Sequence, residues 1–576
     1  VAVYNNIILR IHSYRKDNEM KIRFLGATTT VTGSCHLITT NSHKLLLDCG
    51  LFQGNKEIER LNEEEFDFDP SEIEFLILSH AHIDHSGRIP LLVKRGFKGK
   101  IYCTDATADL LEVMLKDSAS IQERETEWKN RKNQRSGKPL VEPLYTMKDA
   151  EEALKYVVPV MYDQLVELHE SIQIVFNDAG HILGSAIIEL FITENNDVSK
   201  IVYSGDIGMK NRPILRNPTL IKKADYVIME TTYGNRVHED NSDSIKRLID
   251  IVLKTIKRGG NVIIPSFAVG RTQELIFEFN RFYEENSAYR YELKDVKVYV
   301  DSPMAISATE VFRKNAQVFD KDTRDYILRG DHPLDFPNLV FSRTAEESVA
   351  LNTDPNPKVI ISSSGMCEAG RIKHHLKHNL WNPKSSIVFV GYQAKGTLGH
   401  SILKGDKRVS IFGEKIKIEA EIHNLEGFSG HADQNGLVQW LGGFKMQPKK
   451  IFLVHGEEDS KSDFAETVKS VFGYDCTVIN GDTEFTLTKD RVVSVDEAKK
   501  EIFTPEYLSK IKRRISSVHD ALESILYNTH LAMGPDMSPE QIAEINNLII
   551  GLEKNTYSLG SVMTLDPEES VEYPEE

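Results

Sequence analysis

The chain of 576 residues is predicted to be an α/β protein of several domains that ends in a helical extension. Short apolar runs of strand length alternate with helical stretches from about residue 20 to residue 490, the pattern of the α/β class. Several of these runs end in His or Asp, as strands do when an open sheet gathers a site at its ends. Beyond residue 500 the strand pattern stops, and apolar residues recur at spacings of three and four.

Residues 1–19 lack the long apolar core and small-residue cleavage site of a signal peptide. Met20 is the expected initiator, and 1–19 is expected to be a non-native or disordered extension. Residues 20–212 read as strands with intervening helices. Among them Phe75-Leu76-Ile77-Leu78 has the length and composition of a buried strand, and helix-like residues resume at Ile89-Pro90-Leu91-Leu92. Residues 105–165 are charged and helical in pattern and include the basic run 129–135 (KNRKNQR). From 213 to 420 a second cycle appears. Tyr226-Val227-Ile228-Met229, Val262-Ile263-Ile264, 296–300 (VKVYV), Val359-Ile360-Ile361 and Ile387-Val388-Phe389-Val390 alternate with helical stretches, which predicts a doubly wound parallel sheet.

In 491–576, Leu508, Ile511, Ile515, Val518, Leu522 and Ile525 form one apolar helical stripe, with Thr504 and Pro505 as cap and first position. Residues 538–541 (SPEQ) open a second helix with a capping box, which continues through Ile542, Ile545, Leu548 and Leu552. The two helices are read as a hairpin packed on the body, or as a dimerisation or partner-docking element. The acidic end 566–576 is expected to be disordered.

The richest chemistry lies in His80-Ala81-His82-Ile83-Asp84-His85, four metal-capable side chains within six residues on a strand-to-helix turn. Imidazole and carboxylate together suit zinc and its borderline neighbours. Three further strand ends add ligand types: His181 after 172–176 (IQIVF), Asp206 after Ile201-Val202-Tyr203, and His455 after Ile451-Phe452-Leu453. His181 or His455 taken singly would be an ordinary hydrogen-bonded histidine; the set of seven points to metal. One zinc that keeps a free position takes about three protein ligands. Seven therefore imply two ions, with the two oxygens of Asp206 the natural bridge.

Five scattered cysteines (Cys35, Cys49, Cys103, Cys367, Cys476), without CxxC spacing, give no disulfide framework and indicate a reducing, cytoplasmic setting. No apolar stretch approaches the roughly 20 residues of a membrane span. The net charge of −16 argues against a broad basic surface for undirected nucleic-acid binding, while leaving room for a locally positive cleft.

These segments resemble the metallo-β-lactamase superfamily, whose H-x-H-x-D-H signature reads as residues 80–85, and more narrowly its β-CASP branch of nucleic-acid-processing nucleases. The matching segments run in order from about 20 to 490. They are Gly26 with 31–36 (VTGSCH), 47–54 (LDCGLFQG), 229–234 (METTYG), 265–273 (PSFAVGRTQ), 301–304 (DSPM), 363–366 (SSGM), 428–433 (FSGHAD) and 454–456 (VHG). The likeness is nearest the bacterial and archaeal relatives of the cleavage and polyadenylation endonuclease. It implies a metallo-β-lactamase αββα sandwich made from 20–212 and 421–490, with 213–420 an inserted β-CASP domain that roofs the site. It implies that His80, His82 and His181 hold one zinc, Asp84, His85 and His455 the other, and that Asp206 bridges. Asp48 would buttress the site, and Glu230 with His431 would be the branch-specific pair at the scissile phosphate. RNA-processing members carry His at the place of His455 where DNA-processing members carry an aliphatic residue, which tips the substrate toward RNA.

The expected activity is that of a zinc-dependent ribonuclease, endonucleolytic, 5′–3′ exonucleolytic or both, using metal-activated water and leaving 5′-phosphate and 3′-OH ends. Asp84 or Asp206 would take the water's proton, and His431, kept cationic by Glu230, would protonate the leaving 3′-oxygen. Ser364 and Gly365, leaving a strand end with exposed N–H groups, and Arg271 at a helix mouth are candidate phosphate contacts. An inter-domain ion pair is the other reading of Arg271, and a solvated helix end or an RNA contact are the two readings of 129–135. The alternatives are a DNA nuclease of the same family, a non-catalytic RNA-processing scaffold, and a thioester, lactone or β-lactam hydrolase. The last leaves the insert, Glu230 and His431 unexplained.

Overall fold

The structure is a computed structural model that describes residues 20–487, except 195–196, 239–243, 392, 395 and 426–428, together with 505–532 and 537–562. The extension 1–19, Phe428, Thr504 and the acidic end 566–576 lie outside the described residues.

Two seven-stranded sheets make the first domain. One runs in the order Thr483–Thr486, Lys21–Gly26, Cys35–Thr39, Lys44–Leu47, Phe75–Ile77, Lys100–Thr104, Val157–Val160, antiparallel through three pairings and then parallel. The other runs Cys476–Val478, Lys450–Val454, Tyr226–Glu230, Asp197–Tyr203, Ala186–Glu194, Ile172–Asp178, Leu165–His169, with three parallel pairings followed by three antiparallel ones. Alternate residues of a pleated strand share a face. Ile22, Phe24, Leu45 and Leu47 of one sheet accordingly meet Ile174, Phe176, Ile188, Leu190 and Phe452 of the other in one buried cluster. The intervening residues face helices. Leu46, Leu76 and Ile101 pack with Leu115 and Ala150 of helices Asp105–Arg135 and Met147–Leu154. Val227, Met229 and Leu453 pack with Leu437, Trp440 and Phe464 of helices Gln434–Leu441 and Glu458–Phe472. The layers are helix, sheet, sheet and helix, the sandwich the sequence predicts.

A third sheet of six strands runs Leu339–Phe341, Val298–Val300, Val359–Ser362, Val262–Pro265, Ser386–Phe389, Glu421–Asn424, parallel throughout. Both its faces are covered, which is why its strands are continuous apolar runs. Val262 and Ile264 lie in the cluster formed with helices Ser244–Lys257 and Arg271–Glu285, and Ile263 in the one formed with Ile372–Asn379 and Leu398–Leu403. Two strands differ from expectation. The run at 226–229, expected in this sheet, belongs to the sandwich, where it pairs with Asp197–Tyr203 and Lys450–Val454. Conversely Glu421–Asn424, assigned to the returning segment, forms the outer strand of the inserted sheet. A buried parallel strand is the same apolar run whichever sheet receives it.

Sandwich and insert form one compact unit with a shared core: Ala81, Ile182 and Leu183 of the first lie in the cluster that holds Leu275 and Ile276 of the second. Lys314 and Asn315 both donate to the Asp109 carboxylate at 2.7 Å, and Arg212 pairs with Glu274. A second unit carries helices Pro505–Ala532 and Pro539–Val562. The expected capping box is present, with Ser538 N–H donating to Gln541 Oε1 at 3.0 Å and Gln541 N–H to Ser538 Oγ at 3.3 Å. Along the stripes Leu508, Ile511, Ile515, Val518 and Ile525 are exposed, as are Ile542, Leu548 and Leu552. Among the described residues no helix is long and apolar enough to cross a membrane.

Candidate metal centre

Strand ends deliver every candidate ligand. Phe75–Ile77 leads to His80, and His82 precedes the four-residue helix Ile83–Ser86, whose tight turn brings Asp84 and His85 back toward the same point. Asp48 follows Lys44–Leu47 with φ of 61°, and His455 follows Lys450–Val454 with φ of 49°. This left-handed backbone is disfavoured for non-glycine residues and clusters at functional sites. Gly205, just before Asp206, has φ of 51°, and a Cβ there would lie 2.8 Å from the Cβ of Ser79. Only glycine lets this strand end approach the 80–85 turn so closely.

The seven side chains come together as two groups sharing Asp206. His82 Nδ1 stands 3.1 Å from both His80 Nε2 and His181 Nε2. His85 Nε2 stands 3.0 Å from His455 Nε2, which is 3.6 Å from Asp84 Oδ2. Asp206 Oδ2 faces the first group, 3.4 Å from His80 Nε2 and 3.5 Å from His181 Nε2. Its Oδ1 faces the second, 3.3 Å from His85 Nε2, and is buried without a hydrogen-bond partner among the described residues.

The other ring nitrogens of His80, His85, His181 and His455 are engaged by acceptors. His85 Nδ1–H donates to Asp48 Oδ2 at 2.7 Å and His181 Nδ1–H to the Gly430 carbonyl at 3.1 Å. His80 Nδ1–H donates to Ser79 Oγ at 3.0 Å, and His455 Nδ1–H to Thr232 Oγ1 at 3.2 Å. Those two hydroxyls spend their own protons on Asp48 and Glu230, so they can only accept from the rings. Each of these four histidines therefore points its Nε2 inward, while His82 presents Nδ1. Such outer partners fix the ring and its tautomer at metal sites. Asp48 also accepts from Ser79 N–H at 2.7 Å and Tyr203 O–H at 2.6 Å, so it is fully answered and rigid.

Burial lowers His80 and His181, and takes His82 down to about 3, leaving these rings neutral. For His85 burial acts the same way, but Asp206 and Asp48 outweigh it and raise the group. Among the neutral rings of His80, His82 and His181, inward lone pairs with no proton between them repel unless a cation lies among them. Imidazole nitrogens around tetrahedral zinc, at about 2.0–2.1 Å from it, are roughly 3.3 Å apart. The spacings, the N/O donor set and the unanswered Asp206 Oδ1 fit a divalent metal.

Beside Asp206 lies a further pair. His431 Nδ1 is 3.2 Å from Glu230 Oε2 and 3.9 Å from Asp206 Oδ2. A backbone bridge joins His431 to Gly208, and Ala432 N–H donates to the Ile207 carbonyl at 2.7 Å, so the returning segment is stitched to the Asp206 strand end. Glu230, buried at the end of Tyr226–Glu230, accepts from Ile207 N–H and Thr232 Oγ1 as well as from His431. Burial would lower His431, but Glu230 and Asp206 prevail and raise it to about 9. The ring is a partly exposed cation beside the candidate metal ligands.

The remaining candidates sit elsewhere. Ser364 and Gly365 follow Val359–Ser362, and a Cβ on Gly365 would lie 3.0 Å from the ring of Phe267, an exposed aromatic residue beyond Val262–Pro265. The Ser364 N–H is not exposed for a ligand, since it donates to the Ala369 carbonyl at 3.2 Å; the Gly365 N–H has no acceptor among the described residues. Arg271 is buried and pairs with Glu274 one turn on in the same helix, and it is Glu274 that also holds Arg212 of the sandwich. The basic run 129–135 ends the helix Asp105–Arg135, its Lys and Arg side chains exposed. Ser79, Tyr203, Thr232 and Gly430 were not singled out by sequence; adjacency to His80, Glu230 and His431 is the only signal that Ser79, Thr232 and Gly430 offer.

Comparisons with known proteins follow the same architecture. Residues 37–232 match the metallo-beta-lactamase superfamily domain, 272–402 the Beta-Casp domain, and 415–479 the Zn-dependent metallo-hydrolase RNA specificity domain. The chain is 37% identical over 440 residues to Ribonuclease TTHA0252 of Thermus thermophilus, covering 76% of this chain and 94% of that protein. It is 34% identical over 481 residues to transcription termination factor FttA of Methanocaldococcus jannaschii, covering 80% and 71% of the two chains. With FttA of Methanosarcina mazei the identity is 32% over 470 residues, covering 79% and 69%. The chain thus belongs to the β-CASP family of metal-dependent ribonucleases built on the metallo-β-lactamase fold.

Proposed function

We propose that the chain is a two-zinc ribonuclease of RNA processing or decay, acting in the cytoplasm and hydrolysing phosphodiester bonds with water to leave 5′-phosphate and 3′-OH ends. The observation that carries this is Asp206, whose two oxygens face two separate ligand groups beside a cationic His431. His80, His82 and His181 would hold one ion, Asp84, His85 and His455 the other, with Asp206 between them. Ions so held supply Lewis acidity to phosphate oxygens and make water more acidic.

The chain's own residues do the rest. Asp84 and Asp206, both held ionised by the imidazoles around them, accept the proton that water loses in its attack. His431 gives a proton to the leaving 3′-oxygen; Glu230 engages its Nδ1, which leaves Nε2–H as the donor. Asp48 keeps His85 and the Ser79 hydroxyl in place, and through that hydroxyl the His80 ring. Gly365 offers its N–H to a phosphate, with Ser364 shaping the turn. Arg271 contributes through Glu274 by keeping the insert against Arg212, and reaches substrate only by leaving that pair. RNA rather than DNA is supported by His455 and by the match of 415–479 to an RNA specificity domain. Two chains are proposed to join through the helices of the second unit.

The test is incubation with 5′- and 3′-labelled RNA and DNA oligomers, alongside elemental analysis. About two zinc ions per chain and RNA products ending in 5′-phosphate and 3′-OH are expected. Cleavage of DNA alone, or RNA products with 2′,3′-cyclic ends, would overturn the reading.

A further inference from the structure

Two helices beyond the family-matched residues leave their apolar faces in water. In Pro505–Ala532, Leu508, Ile511, Ile515, Val518, Leu522 and Ile525 recur at alternating spacings of three and four, the a and d positions of a heptad. In Pro539–Val562 the positions of Ile542, Ile545, Ile549, Leu552, Thr556 and Leu559 repeat the spacing. Single exposed apolar residues need no explanation, but a continuous stripe marks a surface that something covers. Leu508 is 52% exposed, Val518 55%, Ile525 46% and Ile549 48%.

We propose that a second copy of this chain covers them, its Pro505–Ala532 helix lying antiparallel to the first and the two Pro539–Val562 helices completing a four-helix bundle. The proposal deepens the two-chain reading above and is independent of the chemistry at the metal centre. The stripe is symmetric about the peptide between Ser516 and Ser517. Antiparallel pairing about that point sets Leu508 against Ile525 of the second copy, Ile511 against Leu522 and Ile515 against Val518, so every layer is apolar on both sides.

Charge chooses the direction. Lys510, Lys512, Arg513 and Arg514 fill the first half of the helix, and Asp520 and Glu523 the second. Parallel pairing would bring four cations beside their own copies. Antiparallel pairing brings Lys512 of one copy to within two residues of level with Glu523 of the other, both on the same flank of the stripe, an arrangement that steers association and fixes register. Leu508 and Leu522 at one heptad position with Ile511 and Ile525 at the other favour more than two helices. The second stripe supplies them, because the short connection 533–538 is of the length that joins antiparallel neighbours. The basic half would suit RNA as well, but RNA does not cover an apolar stripe.

The full-length chain should have a solution mass, by light scattering, of twice its 65.3 kDa. Ile515→Glu with Val518→Glu should return it to 65.3 kDa, with bound metal and cleavage of a short RNA retained as proof of folding. Glu523→Lys should weaken association, and Lys512→Glu added to it should restore the dimer. A monomeric parent chain, or a mass indifferent to the stripe variants, would overturn the proposal. Lys512→Glu alone strengthening association would overturn the antiparallel pairing, and loss of RNA affinity at constant mass would assign the segment to RNA instead. Failure of RNA cleavage with the mass behaviour intact would count against the nuclease reading and leave the bundle standing.

Discussion

At the carboxyl end of the inserted sheet, Asp301 and His375 are as deeply buried as Asp206 and His85 in the sandwich, and they use the same residue types. The two clusters differ in how their polar atoms are answered. Asp301 Oδ1 accepts from Arg371 at 2.6 Å, and Oδ2 accepts from His375 Nε2 and Ser348 Oγ, each at 2.6 Å. The other ring nitrogen of His375 meets Asn352 Oδ1 at 3.0 Å. In the sandwich, nitrogen faces nitrogen at 3.0 and 3.1 Å, and Asp206 Oδ1 has no hydrogen-bond partner among the described residues. Buried Asp and His therefore do not by themselves identify a metal site. The mark is a set of acceptors left facing one another, which a native interior tolerates only when something else completes it. The insert's cluster is a finished hydrogen-bond network; the sandwich's cluster is a cradle.

The sharpest way to break that contrast is Asp206→Ala. If one carboxylate serves both groups, its removal should strip metal from both and abolish cleavage in a protein that remains folded. Elemental analysis that still finds two tightly held ions per chain would reject the shared ligand. Next in size is His431→Ala, which should keep its metal and its RNA binding yet lose about 10²–10⁴ in cleavage rate. The deficit should shrink on a p-nitrophenyl phosphodiester, whose leaving group departs without a proton. An equal deficit on both substrates would make His431 a phosphate clamp. Glu230→Gln should resemble it more weakly, because the amide still accepts a hydrogen bond but no longer favours the cation.

The opposite behaviour is expected at Asp301. Burial would raise its pKa, but the hydrogen bonds from His375, Ser348 and Arg371 prevail and lower it to about 2. A carboxyl lowered from about 3.9 in the unfolded chain contributes stability that is complete above that pH and lost as pH falls through the folded value. Asp301→Asn should therefore lower the thermal midpoint strongly at neutral pH, by the equivalent of about 3–5 kcal/mol for breaking a buried charge network. Measured in metal-free protein, the gap between variant and parent should close as pH drops from about 4 toward 2. Metal content per folded chain should not change. A variant that loses metal while keeping its midpoint would erase the distinction between the clusters.

Residues 80–85 are legible in the sequence because one turn carries four ligand types, so no distant contact has to be inferred. Asp206 and His455 are legible as polar residues that end apolar runs. The partners that orient the rings are not. The Gly430 carbonyl meets His181 across 249 residues of chain, and any residue's carbonyl could have done so. Tyr203, inside a strand, reads as core until its hydroxyl is seen on Asp48. The run 226–229 reads as part of the inserted sheet because buried parallel strands are alike along the chain and differ only in which neighbours they pair with. Arg271 suits phosphate and carboxylate equally, and no pattern in the sequence marks Glu274 as the group it meets. The C-terminal stripes show that a face must be buried, while the identity of what buries it depends on exposure and charge together.

The smallest expected effect falls on Thr232, which belongs to neither ligand group but links the cradle to the acid. Its hydroxyl accepts from His455 Nδ1–H at 3.2 Å and donates to Glu230, the carboxylate that holds His431. Removing it should release the His455 tautomer without opening a cavity, because valine has nearly the same shape. Loss of such an outer partner typically costs about 10–100-fold in metal affinity or activity. Thr232→Val should therefore release metal to a chelator more readily and cleave RNA more slowly, while Thr232→Ser, which keeps the hydroxyl, should stay close to the parent. Because the same hydroxyl also steadies Glu230, part of the rate loss in Thr232→Val should persist at saturating metal, and that part should be absent in a His431→Ala background. If serine fares as badly as valine, the methyl group rather than the hydroxyl matters at this position. The link between the cradle and the acid would then be packing rather than a hydrogen-bond chain.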